Sequence, residues 1–199
     1  MIPVGITREG AFVLEDDDPS KFPLDAAHLP EVADNGTRVL WPEPGGDRTL
    51  RVVRQDGTVE GFGEIDIVLP ILHGTHGEDG TIQGYFDTLE VPYAGGGVLD
   101  SALCMDKHFM KITLRAAGLS VAPGITVRSR EWERDAASVR ASAVDLGMPL
   151  FVKPARAGSS VGVSKVERPD ELDAALAIAF AEDDKVLIES GVVLSLIHI

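Results

Sequence analysis

The sequence predicts an α/β chain in two parts. The first part, to about residue 100, alternates strands and helices around a partly parallel sheet. The second is a small antiparallel sheet with helices. Three observations lead there. Ile65 to Leu72 is a near-continuous apolar run, broken by Asp66 and Pro70, that ends in a glycine-bearing loop and a helix. Such a run suits a strand buried on both faces. Trp132, Ala136, Val139, Ala143 and Leu146 recur in steps of four and three, a helical period. Leu150 to Pro154 and Gly162 to Val166 are strand-like segments facing each other across Gly158-Ser159-Ser160, which reads as a hairpin.

The remaining elements follow in order. Val4 to Thr7 and Ala11 to Leu14 read as strands around a Gly10 turn, and Glu15 to Pro30 as irregular surface. Thr37 to Trp41 and Thr49 to Val53 read as short strands separated by a Pro-Glu-Pro-Gly-Gly loop. After the apolar run, Ile82, Phe86 and Leu89 mark a helix, and a short strand near Pro92 to Ala94 ends at three glycines. Asp100 is a candidate cap for the next helix. Another runs from Lys107 to Ala117 and stops at Gly118. Ile125 to Val127 is a strand, Ser129 a candidate cap for the long periodic helix, and Gly147 and Pro149 end that helix. Asp170 to Phe180 reads as a helix and Lys185 to Glu189 as a strand.

Composition narrows the function classes. The 199 residues are 44% hydrophobic, enough to build cores. A formal charge of −14 argues against a nucleic-acid partner. The single cysteine, Cys104, excludes an internal disulfide, and its helical surroundings predict a buried structural thiol. No apolar run reaches membrane-spanning length, and the start lacks the basic head and apolar stretch of a signal peptide, so a cytoplasmic protein with no membrane partner is expected.

Two segments carry chemistry. Lys153 sits in an apolar strand and is followed by Gly158, Ser159 and Ser160. A lysine in apolar surroundings is costly unless an anion meets it. The turn adds backbone N–H groups and two hydroxyls, so the pair resembles half of a phosphate site. No Walker pattern is present. The second segment is His73-Gly74-Thr75-His76-Gly77-Glu78-Asp79-Gly80, at the carboxyl end of the apolar run. There His73 can meet a substrate carboxylate or pass a proton, and the glycines admit a ligand to the backbone. The same loop also reads as a plain strand-to-helix turn with His73 satisfied locally. His28, His76 and His108 read as structural. The His, Glu and Asp spacing fits no metal pattern.

Taken together, the motifs resemble the D-alanine–D-alanine ligases of the ATP-grasp superfamily. The resemblance rests on Leu72-His73-Gly74-x-x-Gly77-Glu78-Asp79-Gly80-x-x-Gln83-Gly84, on Pro92-Tyr93-x-Gly95, on Ser101-Ala102 and on Met105-Asp106-Lys107. It continues with Gly118-Leu119-x-Val121-Ala122-Pro123, Val152-Lys153-Pro154-x-Arg156-x-Gly158-Ser159-Ser160-Val161-Gly162 and Val186-Leu187-Ile188-Glu189. The ordered set runs from Pro3 to about Val193. It implies an N-terminal α/β substrate domain over 1–103 lacking its first strand and loop, the first half of an ATP-grasp domain over 104–193, and a non-native tail over 194–199.

The resemblance also implies roles. Lys107 and Lys153 would hold ATP phosphates, and Gly158, Ser159 and Ser160 would cover them. Ser159 would also orient the first D-alanine. His73 would sit beside that substrate's carboxyl group, and Glu189 would line the adenine and ribose pocket. The implied reaction makes D-alanyl-D-alanine through D-alanyl phosphate, for the peptidoglycan of the cell wall that sets cell shape. ATP and Mg2+ are the expected cofactors, with the metal ligands in a C-terminal half absent from this chain. A homodimer is implied for the complete enzyme and inactivity for this fragment alone. D-alanine–D-lactate and D-alanine–D-serine ligases share every motif quoted, and a non-catalytic nucleotide-binding fragment is a further alternative.

Overall fold

A computed structural model describes residues 1–23 and 30–192, so His28 and the 194–199 tail lie outside the described residues. The chain divides into two compact units. One comprises 1–70 and 83–95, the other 71–82 and 96 onward.

The first unit holds two small antiparallel sheets. β1 (Val4–Ile6) pairs with β2 (Phe12–Leu14), and β3 (Arg38–Leu40), β4 (Thr49–Val53) and β5 (Val59–Glu64) form a meander. Alternation along β4 buries Leu50 and Val52, which meet Val39 and the edges of Trp41, Phe12 and Phe62. α1 (Thr81–Thr88) adds Phe86, whose ring lies 5.0 Å from Trp41. The expected strand over 65–72 contracts to one parallel bridge, Val68 with Tyr93. The same bridge replaces the strand expected at 92–94. Ile67, Leu69 and Ile71 stand exposed. The run is held at two points only, by the Ile65 N–H to the Arg48 carbonyl and by Val68 to Pro92 and Ala94, so no extended ladder forms among the described residues.

The second unit is built on one antiparallel sheet in the order β6-β9-β7-β8, with β6 (Gly124–Arg128), β7 (Leu150–Pro154), β8 (Ser164–Val166) and β9 (Lys185–Ser190). One face carries Val127, Leu150, Val152, Val166, Val186 and Ile188 into the core. α6 (Leu172–Glu182) meets that face with Leu172, Ala175, Leu176 and Ala179, spaced three and four apart along one stripe. The long helix expected from Ser129 is two helices, α4 (Ser129–Arg134) and α5 (Ala136–Asp145). Asp135 interrupts it at φ −151° and ψ 69° and accepts from the Ser138 N–H, which makes it the cap of α5. The apolar period survives the break because both helices lean on the same core.

α2 (Val98–Met105) and α3 (Lys107–Ala116) follow the glycine run. Gly97, rather than Asp100, caps α2. No residue of α2 is buried, so Cys104 is exposed and the expectation of a core thiol is corrected. Asp106 ends α2 and caps α3, accepting from the N–H groups of His108 and Phe109. Gly118 closes α3 at φ +81°.

Candidate functional site

The site is laid out by strand register in the second unit. On β9, Val186 and Ile188 face the core, so Lys185, Leu187 and Glu189 face the other way. Leu187 lies opposite Lys153 of β7 and Thr126 of β6, and Glu189 lies opposite Gly124. The non-core face therefore collects Lys153, Lys185 and Glu189. Helix α3 crosses it, contributing His108, whose Nδ1 is 2.7 Å from the Thr126 hydroxyl, and Lys111. A groove of about 130 Å³ runs between α3 and strands β6 and β9, past Lys111, Arg115, Thr126, Leu187 and Glu189.

Glu189 is the centre of this layer. Its carboxylate is 5% exposed and takes Lys153 Nζ at 2.6 Å on one oxygen and Lys111 Nζ at 2.6 Å on the other. Gly124 makes room for it. A Cβ there would stand 2.8 Å from Glu189 Cγ and 2.7 Å from the Ile188 carbonyl. Below it, Lys185 pairs with Asp106 in a nearly dry setting, its ammonium also lying 4.7 Å from the centre of the Phe109 ring. Asp106 thus serves both the helix cap and the buried ion pair, which fixes the start of α3 and with it Lys107.

Lys107 reaches the strand-to-loop segment after β7. Its N–H donates to the Ala155 carbonyl, and its ammonium donates to the carbonyls of Ala157 at 2.5 Å and Ala155 at 3.4 Å. Burial, then the nearby positive charge of Lys153, lowers the Lys107 pKa. The loop is held from its other side by Arg156. The Arg156 N–H and guanidinium both donate to Asp183, and the guanidinium also pairs with Asp184. Burial works to raise the Asp183 carboxyl, but Arg156 and the N–H groups of Lys185 and Arg156 outweigh it and the net shift is downward. The Arg156 guanidinium is pushed upward by the same contact.

Beyond these anchors Gly158, Ser159 and Ser160 form an exposed turn. Ser159 and Ser160 both hold positive φ, 46° and 59°. Two consecutive non-glycine residues in that region cost on the order of 1–3 kcal/mol each, and such strain concentrates at ligand clamps. The turn is tied by the Val161 N–H to the Gly158 carbonyl. His73 is 91% exposed, with Glu78 as its ion-pair neighbour at 3.9 Å, and is not drawn into the lysine layer. Its loop is stitched internally: Glu78 accepts from the Gly74 N–H, and Asp79 from the N–H groups of His76 and Thr81. Burial raises the Asp79 carboxyl less than these donors lower it, so it stays below its usual value.

Of the residues singled out in the sequence, Lys107, Lys153 and Glu189 lie in one layer, with the Gly158–Ser160 turn following it. Lys111, Lys185, Arg156 and Asp183 completed that layer without being picked out for a role. Lys111 carried a usable signal, since residues 107 and 111 are four apart and share a helix face. The donor set suits a polyphosphate: two ammonium groups, exposed hydroxyls and a strained loop with open backbone. It does not suit a divalent metal. Among the described residues no three His, Cys, Asp or Glu side chains are grouped to hold an ion.

The comparisons agree with this architecture. Residues 1–96 match the family model described as D-ala D-ala ligase N-terminus, and residues 113–199 the one described as D-ala D-ala ligase C-terminus. D-alanine–D-alanine ligases of Paenarthrobacter aurescens and Bifidobacterium adolescentis are 49% and 45% identical to this chain over 97% and 96% of it. The chain spans about half the length of these curated relatives, 51% and 54%. Among solved structures, the VanG D-Ala:D-Ser ligase of Enterococcus faecalis superposes with a TM-score of 0.76 at 34% identity, covering 96% of this chain and 53% of that one. The D-alanine–D-alanine ligase of Coxiella burnetii superposes with 0.73 at 29% identity, over 96% and 53%.

Fold and neighbours together define a ligase-type α/β chain that runs into the small α+β part of an ATP-grasp fold. More particularly, the chain belongs to the D-alanine–D-alanine ligase family.

Proposed function

We propose that the protein to which this chain belongs joins two D-alanines into D-alanyl-D-alanine at the expense of ATP, passing through D-alanyl phosphate, to supply peptidoglycan precursor. One observation carries the reading. Lys107 and Lys153 lie close enough for one charge to depress the other's proton affinity, beside a strained seryl loop. Glu189 offsets only part of this positive charge, and two half-buried like charges beside open backbone donors suit an anion such as phosphate.

In this reading Lys153 and Lys107 neutralise the phosphates, and Gly158, Ser159 and Ser160 close over them with backbone N–H groups and hydroxyls. Lys107 also ties α3 to the base of that loop. Ser159 helps orient the first D-alanine, and His73 meets its carboxylate once a closed state brings the loop to the substrate. Glu189 lines the adenine and ribose side. ATP supplies the phosphoryl group that activates the first carboxylate. The chain's own contribution is positioning and charge neutralisation. Magnesium is proposed to be held by residues of the full-length protein outside this chain. The complete protein is proposed to act as a cytoplasmic homodimer. This chain alone is proposed to be inactive.

The test is product formation by the full-length protein given D-alanine and magnesium ATP, with mass spectrometry of the products. D-alanyl-D-alanine with stoichiometric ADP and phosphate is expected. ATP consumption with a different acceptor, or none with D-alanine, overturns the reading. The VanG neighbour, titled a D-Ala:D-Ser ligase, motivates offering D-serine and D-lactate in the same assay. A preference for either selects the alternative ligase. Nucleotide binding without ligation by the full-length protein selects a non-catalytic role.

A further inference from the structure

The Lys111–Glu189–Lys153 arrangement raises a question that the nucleotide reading leaves open. Lys153 is asked to present a positive charge to phosphate, yet its ammonium already lies 2.6 Å from a buried carboxylate. In a low-dielectric setting an isolated Lys–Glu pair is a closed dipole with little field left for a third charge. The cluster avoids this because the carboxylate has a second cation. Lys111 occupies the other oxygen at 2.6 Å and is itself only 17% exposed. Two lysines and one glutamate leave a net charge of about +1 by simple electroneutrality.

The two lysines are not equivalent. Lys111 comes from α3 and ends on Glu189 Oε1, the oxygen opposite the one that meets Lys153. Lys153 comes from the strand that runs straight into the seryl loop and is the more exposed of the pair. The surplus positive charge therefore belongs on the phosphate side. Gly124 supports this division: any side chain there would displace Glu189 from its place between the two ammonium groups.

We propose that Lys111 is a positioning residue of the nucleotide site, which neutralises Glu189 so that the charge of Lys153 remains available to the phosphates of ATP. The inference rests on the ATP reading above. Without Lys111, Glu189 would compete with phosphate for Lys153. Lys111 itself need touch no nucleotide.

The experiment is a double-mutant cycle in the full-length protein, with ATP affinity measured by calorimetry for wild type, Lys111→Met, Glu189→Gln and the double variant. Thermal unfolding of each variant without nucleotide controls for folding. Lys111→Met should weaken ATP binding about tenfold in the wild-type background, and by no more than about twofold when residue 189 is already glutamine, as expected for contacting charges. Lys111→Arg should restore most of the affinity. An equal loss in both backgrounds would make Lys111 a direct phosphate ligand or a scaffold residue and overturn the proposal. No loss in either background would overturn it too. If Lys111→Met fails to fold, Gly124→Ala displaces the same carboxylate, and unchanged ATP affinity in that variant counts against the proposal. A wild-type protein that binds no ATP removes the nucleotide reading itself, whereas a flat cycle in a protein that does bind ATP removes this inference alone.

Discussion

The two units differ in whether they take ion pairs out of water. In the first, Arg38 pairs with Asp34, Arg51 with Asp47 and Arg54 with Glu60, all on the surface, around a small core centred on Val39, Leu50 and Val52. Contacts of this kind contribute little, because water and salt screen them. The second unit has surface pairs of the same kind, Arg140 with Asp173 among them, but it also holds ion pairs under α3, against a sheet whose other face carries a core of eleven buried residues. There, loss of one partner strands the other in a dry setting. The proposed nucleotide site lies in the unit that takes ion pairs out of water. The unit with the firmer core is the one that can hold lysines and carboxylates out of water, and their positions are set by strand register instead of by flexible side chains finding each other.

That contrast can be broken by mutation. The largest effect is expected at Asp106→Ala, which removes a helix cap and leaves Lys185 buried and unpaired, a cost of about 3–5 kcal/mol. Denaturant unfolding of the second unit measures it. Asp34→Ala in the first unit should leave the midpoint nearly unchanged, since both side chains of that pair are about half exposed and water screens them. Comparable losses from the two would dissolve the distinction. Next in size is Leu176→Ala, which empties a fully buried position between α6 and the sheet and should cost about 2–5 kcal/mol.

A smaller effect is expected with pH. The Asp183 carboxyl is lowered in the folded state from an ordinary value of 3.8, so its stabilising contribution is present above that value. It fades as acid takes the pH down through the folded value. Asp183→Asn should flatten the acid limb of the stability profile. An unchanged limb would mean that the Arg156 clamp contributes nothing to folding. Smallest of all should be the effect of His73→Ala on nucleotide affinity, because that side chain is exposed and apart from the lysine layer. Its effect on D-alanine turnover should be the larger one, and the reverse order would assign His73 to the nucleotide.

How much of this was legible in the sequence differs between regions for physical reasons. β7 and β9 were readable because their apolar residues alternate or run continuously against real neighbours, and Lys153 stood out as the exception within them. β5 went unseen because Val59–Glu64 buries almost nothing and is held by pairing with β4 alone. The run from Ile65 to Leu72 was over-read for the opposite reason. Apolarity signals burial only where partners cover the side chains, and Ile67, Leu69 and Ile71 stand largely exposed. The lysines at 107 and 153 were picked out by motif, with Asp106 and Glu189 beside them, while the contacts that join these groups were not. Lys185 and Asp106 are seventy-nine residues apart, and no local pattern records their contact. Ser159 and Ser160 read as a turn, but their left-handed backbone was visible only in the structure.

The proposed ATP site stands or falls with Lys153 facing a nucleotide's phosphates. Titration of the full-length protein and its Lys153→Ala variant with ATP, by calorimetry at constant salt, addresses that directly. A loss of about 1.5–3 kcal/mol in binding, from the missing charge-assisted contact, is the expected result. Equal affinity in the two proteins, with both folded, would contradict it and leave the buried lysine layer as structure alone.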